Sequence, residues 1–408
     1  MLTTYRGHVL TPRRDDGWDD WPDGALTVDD AGVIRRAGPW KLRTGPGRTV
    51  DLRPHILIPG FADTHAHIPQ LPACGVHGES LLSWLRTWIF PLENAFRGER
   101  ARTGAEAFFR EMVAEGVTAA ALYASAWPDG AEACFTAARK AGVRALIGPP
   151  LMDVDPYRED IRASRRRTSR VLDEASELCR RWHAPSGRLR FCFTPRFALS
   201  CTPELMAGAA ELATKHRAPV QTHLSENEEE VRLVRRRFGR SYTDVYRRAG
   251  LVRAGAIFAH CVHLGDGEWR TLGAAGACVS HCPTSNLFLG SGAMRWRNGV
   301  RVALGSDVGA GPSLSPFDVM RASISSGVTR DAEALFRAAT REGYAALGFD
   351  GGTLESGRPA DFVVLDRRVV IPPGAPDVES THDLVTRIVH RGSRAAVRST
   401  FVAGRAVR

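Results

Sequence analysis

The chain has 408 residues, 43% of them hydrophobic and 25% charged, which excludes a disordered or fibrous chain and leaves room for one large domain beside a smaller one. Its net charge of +10 is almost all arginine, since lysine occurs only at Lys41, Lys140 and Lys215. The arginines are dispersed, and clusters such as Arg165-Arg166-Arg167 and Arg235-Arg236-Arg237 fall in polar helical text, so they read as solvated helix faces and not as a nucleic-acid surface.

The N-terminus, Met1-Leu2-Thr3-Thr4-Tyr5-Arg6, has no signal-peptide pattern, and no apolar run reaches the ~18 residues that cross a bilayer. Eight cysteines without paired spacing read as reduced thiols. A cytoplasmic protein with no membrane or nucleic-acid partner is expected. Residues 1 to 55 alternate and turn often, as short strands do. From Ile56 the text changes to apolar strand and polar helix, repeated. Eight strands are predicted: Ile56–Phe61, Val117–Tyr123, Val143–Gly148, Leu189–Phe193, Pro219–His223, Ala256–His260, Ala277–His281 and Val302–Gly305. Amphipathic stretches such as Ala105–Glu115 and Pro203–Lys215 lie between them. Eight alternations predict an α/β fold of the (β/α)₈ barrel type over residues 56–351. Past Gly351 the strand-like text returns, as in Asp361-Phe362-Val363-Val364-Leu365. Residues 1–55 and 352–408 are therefore expected to pair into a small β-sandwich.

Polar residues collect at the ends of the predicted strands, where active sites of such barrels lie. His65-Ala66-His67 follows the first strand, Arg196 the fourth, and Asp307 the eighth, while His223 ends the fifth and His260 the sixth. Residues i and i+2 of extended chain point the same way, so His65 and His67 can hold one ion. With His223 and Asp307 they make three imidazoles and a carboxylate, the donor set of a catalytic zinc site. His260 fits either as a further ligand or as a hydrogen-bonding neighbour, the second being preferred. Glu226, three residues past His223, is surplus to the ligand count and suits general acid/base work, whereas Glu228, Glu229 and Glu230 read as exposed. His263 and His281 read as structural or pocket-lining. The fourth strand has no lysine at its end to bridge two ions, so a single metal is expected.

These residues, in this order, resemble the amidohydrolase superfamily and its single-metal cytosine, adenosine and guanine deaminase branch. The resemblance to the guanine deaminases is closer still. It is carried by Pro59-Gly60-Phe61-Ala62-Asp63-Thr64-His65-Ala66-His67-Ile68-Pro69-Gln70, Leu81-Leu82-Ser83-Trp84-Leu85, Phe90-Pro91-Leu92-Glu93 and Thr194-Pro195-Arg196-Phe197. Gln221-Thr222-His223-Leu224-Ser225-Glu226, Ser280-His281-Cys282-Pro283-Thr284-Ser285-Asn286 and Leu304-Gly305-Ser306-Asp307 complete it. The resemblance implies one Zn²⁺ per chain, or another divalent ion such as Fe²⁺, on His65, His67, His223 and Asp307. It implies that Glu226 shuttles protons, that His260 and Asp307 hold the attacking hydroxide, and that Gln70, Arg196 and Phe197 contact a purine base. The implied reaction is hydrolysis of guanine to xanthine and ammonia, in a homodimer. Two alternatives stay open: a related amino-heterocycle as substrate (8-oxoguanine, a pterin or an aminotriazine), and an inactive barrel serving as a scaffold.

Overall fold

The computed structural model describes residues 1–40, 47–77, 80–154 and 164–408, so Lys41 and the side chains of Arg165 and Arg166 lie outside the described residues. The two ends of the chain pair into one seven-stranded sheet. Its strands are β1 (Leu2–Pro12), β2 (Trp18–Asp29), β3 (Ile34–Pro39), β4 (Arg48–Pro59) and, from the far end, β15 (Phe362–Leu365), β16 (Val397–Val402) and β17 (Arg405–Ala406). Their order is β17-β16-β15-β4-β1-β2-β3. Tyr5, Leu57, Phe362 and Val364 bury its inner face, and Phe362 stacks on Phe401 at 4.3 Å.

The remaining strands are parallel. β5 (Phe61–His67), β6 (Val117–Tyr123), β7 (Arg144–Gly148) and β9 (Leu189–Phe191) form one four-stranded sheet. β11 (Gln221–Leu224), β12 (Ile257–His260), β13 (Cys278–His281) and β14 (Arg301–Leu304) form another, and β8 (Pro150–Leu151) pairs with β10 (Thr194–Pro195). A parallel bridge between Phe193 and Val220 joins the two four-stranded sheets on one side. On the other, Asp307 donates its backbone N–H to the His65 carbonyl at 2.9 Å. β6, β7 and β12 are buried through both faces, as their mostly apolar text requires. The terminal sheet is fastened to this body by a buried ion pair, Arg144 Nε to Asp361 Oδ2 at 2.5 Å, with the Tyr344 hydroxyl donating to the same carboxylate.

One predicted element divides differently. The sequence has Ile56-Leu57-Ile58 begin the first barrel strand, but the segment ends β4 and pairs with β1 and β15 of the terminal sheet. The chain crosses to the parallel strands at Gly60, where an added Cβ would sit 2.0 Å from Thr118 Oγ1. Two apolar strands thus abut with only a glycine between them, and their joint text reads as one. His65 and His67 consequently lie within β5 and not after it.

Among the described residues no helix is long and apolar enough to cross a membrane. All eight cysteines are free; Cys74 is half-buried and the other seven are buried. In the basic cluster Arg235 and Arg236 are exposed on the helix Glu228–Phe238.

Candidate active site

His65 and His67 are two apart on β5, so both rings leave the same face. His65 has no exposed surface and His67 is 2% exposed. His223 on β11 brings its Nε2 to 3.1 Å from His67 Nε2. Asp307 Oδ1 stands 3.4 Å from His65 Nε2 and 3.6 Å from His67 Nε2. Ligand-type atoms gather within 4.8 Å of one another in two groups sharing His65: His65, His67 and His223, and His65, His260 and Asp307.

The outer ring nitrogens set the tautomers. A carbonyl oxygen only accepts, so His223 Nδ1 carries the proton that reaches the Arg196 carbonyl at 2.6 Å. His260 Nδ1 meets Asn286 Oδ1 at 3.0 Å. Both rings turn a bare Nε2 inward. His65 Nδ1 and Nε2 and His260 Nε2 are buried without hydrogen-bond partners. Burial keeps the His65 imidazole below its ordinary pKa, and burial together with the neighbouring His65 holds His67 and His223 well below theirs. Neutral imidazoles with inward lone pairs, closed by a carboxylate, fit a divalent cation. Burial alone would raise Asp307, but the His65 ring and the other imidazoles outweigh it and hold that carboxyl well below the usual range.

The backbone is bent to make this possible. Ser225, His260, Cys261 and Asp307 all adopt left-handed conformations, with φ of 50°, 70°, 54° and 46°. Each costs of order 1–3 kcal/mol in a residue with a side chain, and such strain concentrates at functional sites. Asp63 holds the last bend: its carboxylate accepts from the backbone N–H groups of His65 and Ser306 and from the Ser306 hydroxyl. Burial lifts the Asp63 pKa to about 6.

Glu226 is 4% exposed and its Oε2 lies 3.6 Å from His260 Nε2. Burial, and then the charge of Asp307, raise its pKa well above the carboxylate range. Gln70, Arg196, Phe197, His223, Glu226, His260 and Asp307 line one cavity with His67, roofed by Leu81, Trp84 and Leu85. The backbone of Gly309, at φ 116°, presses against Gln70: a Cβ there would lie 2.6 Å from the Gln70 Cβ. His263 bonds the Ser291 carbonyl, while His281 is buried, its pKa pushed down to about 3 by burial; neither lines the cavity.

Two carboxylates at the site escape a reading of the sequence. Glu230 reads there as a surface residue, but it is 2% exposed and lines the same cavity. Its Oε1 accepts from the Tyr242 hydroxyl at 2.6 Å and its Oε2 from the Glu226 backbone N–H at 3.2 Å. Burial, and then Glu226, lift its pKa to about 7. Its position in the first turn of the helix that opens two residues past Glu226 is the available signal. Glu93 is 5% exposed and ion-paired with Arg196, which also lines the cavity wall.

A model of the amidohydrolase family matches residues 56–407. Guanine deaminase of Escherichia coli is 34% identical over 383 residues, covering 88% of this chain and 84% of that protein. The Mus musculus guanine deaminase is 30% identical over 425 residues, covering 94% and 92%. Among solved structures, a guanine deaminase from C. acetobutylicum with guanine bound in its active site matches all of both chains with a TM-score of 0.89 at 28% identity. The chain belongs to the amidohydrolase family, as a hydrolase of C–N bonds that stands with the guanine deaminases.

Proposed function

We propose that this protein hydrolyses guanine to xanthine and ammonia with the help of one divalent cation. The observation that carries the reading is the convergence, on one buried cavity, of inward imidazole lone pairs, a protonatable carboxylate and two planar hydrogen-bonding side chains. His65, His67, His223 and Asp307 would hold the ion, with zinc favoured by the nitrogen-rich donor set and Fe²⁺ the runner-up. A bound ion of this kind polarises water and supplies a nucleophile at neutral pH.

The side chains do the rest. Asp307 and His260 would together orient the attacking water, their nearest atoms 3.9 Å apart. Glu226 takes a proton from that water and gives it to the ring nitrogen beside C2. A C–O bond forms at C2, the bond to the exocyclic nitrogen breaks, and Glu226 passes the second proton to the departing amine, which leaves as ammonia. The raised Glu226 pKa, set first by burial and then by Asp307, suits a group that takes up a proton and passes it on. Arg196 and Gln70 would grip the polar edge of the base, and Phe197 its face.

In this reading the two four-stranded parallel sheets are halves of a (β/α)₈ barrel joined at Phe193–Val220 and Asp307–His65. The terminal sheet is the small β unit, with the boundary set at Gly60 and near residue 351. The buried thiols favour a reducing compartment, the cytoplasm, and the assembly proposed is a homodimer. Arg196→Ala tests the base-reading role. A lost charged hydrogen bond is worth about 1.5–3 kcal/mol, so kcat/KM for guanine should fall more than tenfold with metal content unchanged. An unchanged kcat/KM would remove Arg196 from substrate recognition.

A further inference from the structure

Glu93 has no role in the chemistry above, yet it is a buried charge placed directly behind the two residues assigned to the base edge. It sits on the helix Phe90–Asn94, which continues from a π-helical turn at Leu85–Ile89. Its Oε1 accepts from Gln70 Nε2 at 2.8 Å and its Oε2 from Arg196 Nη1. The Arg196 guanidinium lies over the Phe90 ring, 5.0 Å from its centroid. Gln70 and Arg196 line the cavity, while Glu93 faces the adjoining one with Trp127 and Leu151.

We propose that Glu93 is a specificity-positioning residue: it fixes which end of the Gln70 amide faces the substrate. This rests on the reading of the cavity as a base site. A carboxylate paired with a guanidinium has acceptors only, so Gln70 must give it the NH₂ end. The Gln70 oxygen is then the end left for the cavity. Gly309 closes on Gln70 from another side and leaves the side chain little room to turn away. Arg196 is donor-only in every state. The pair thus offers an acceptor beside donors, the complement of a heterocycle edge that carries an N–H next to an acceptor. A site with that fixed pattern rejects bases whose pattern differs, because its own buried groups would go unpaired.

Glu93→Gln breaks the pattern without changing the volume. Arg196 can use only the oxygen of the new amide. The NH₂ of that amide then faces Gln70, which must flip and present donors to the base. The exchange, Gln70→Glu combined with Glu93→Gln, repairs it. The amide oxygen now at position 93 serves Arg196, and its NH₂ serves the carboxylate now at position 70. The second oxygen of that carboxylate returns an acceptor to the cavity. Gln70→Glu alone sets two carboxylates against each other.

The experiment is this double-mutant cycle, read as kcat/KM for guanine on metal-loaded full-length protein, with metal content and Tm as folding controls. The expected result is a fall of at least tenfold for each single variant and recovery of most of that loss in the exchange. Glu93→Gln within twofold of the unsubstituted protein would overturn the proposal. So would an exchange no more active than either single variant, which is what a purely structural Glu93 gives. Should one single variant fail to fold, the exchange is read against the other. Should the unsubstituted protein ignore guanine, the base assignment fails by itself, and the cycle is run on the amino-heterocycle that it does deaminate.

Discussion

The Nε2 atoms of His67 and His223 face each other at 3.1 Å although 156 residues separate them in the chain. The Nδ1–H of His223 is committed to the Arg196 carbonyl, so its Nε2 presents a lone pair. A cation between such nitrogens converts a cluster of buried, unpartnered acceptors into a coordinated set.

Metal content follows from this. Elemental analysis of the purified protein should give one divalent ion per chain, and His223→Ala should lose it. Two ions per chain, or an unaltered content in His223→Ala, would contradict the ligand set.

Glu226→Gln should keep the ion and lose roughly 10²–10⁴-fold in turnover, because an amide cannot relay a proton. Turnover within a few-fold of the unsubstituted protein would move the proton to another residue.

Stability should fall as pH rises through the range set by Glu230. Burial, and then Glu226, raise its pKa from 4.5 to about 7. Below 4.5 both folded and unfolded chains carry the proton and nothing is lost. Between 4.5 and about 7 the unfolded chain releases it while the folded one holds it, so folding is progressively disfavoured, by about 3 kcal/mol in total. Asp63, raised to about 6 by burial, acts in the same direction. Thermal melts from acid to mildly alkaline pH should show a shallower decline for Glu230→Gln than for the unsubstituted protein. An identical decline would show that Glu230 ionises normally in the fold.

The Tyr242 hydroxyl accepts from the Ala198 backbone N–H at 3.1 Å and donates to Glu230, which in turn holds the Glu226 backbone. It therefore ties the segment after Arg196 to the segment that carries Glu226. Tyr242→Phe should cost about 1–3 kcal/mol in urea denaturation, the cost of leaving buried partners unmade, and should lower kcat/KM with metal content intact. No loss of stability would mean that water replaces the hydroxyl.

Much of this architecture is readable because buried parallel strands carry unbroken apolar text. Val117–Tyr123 is a strand over the same residues in sequence and structure, and the later strands lie within a few positions of their predicted places. The Ile56–Phe61 segment misleads because strand follows strand across Gly60, a change of partner that apolar text does not record. The site histidines are visible as polar residues interrupting apolar strand ends. Glu230 is not, because three consecutive glutamates at a helix start look alike, and only the helix direction decides that Glu228 and Glu229 face out and Glu230 in. Glu93 stands within a recognisable motif, but its partners Gln70 and Arg196 are brought to it by tertiary packing that no local pattern encodes.

The central claim is tested most directly by incubating metal-loaded protein with guanine and measuring xanthine and ammonia together. Unsubstituted protein should give the two products in equal amounts, and Glu226→Gln with its ion retained should form both roughly 10²–10⁴-fold more slowly. A metal-loaded protein that leaves guanine untouched while releasing ammonia from a pterin or an aminotriazine would contradict it.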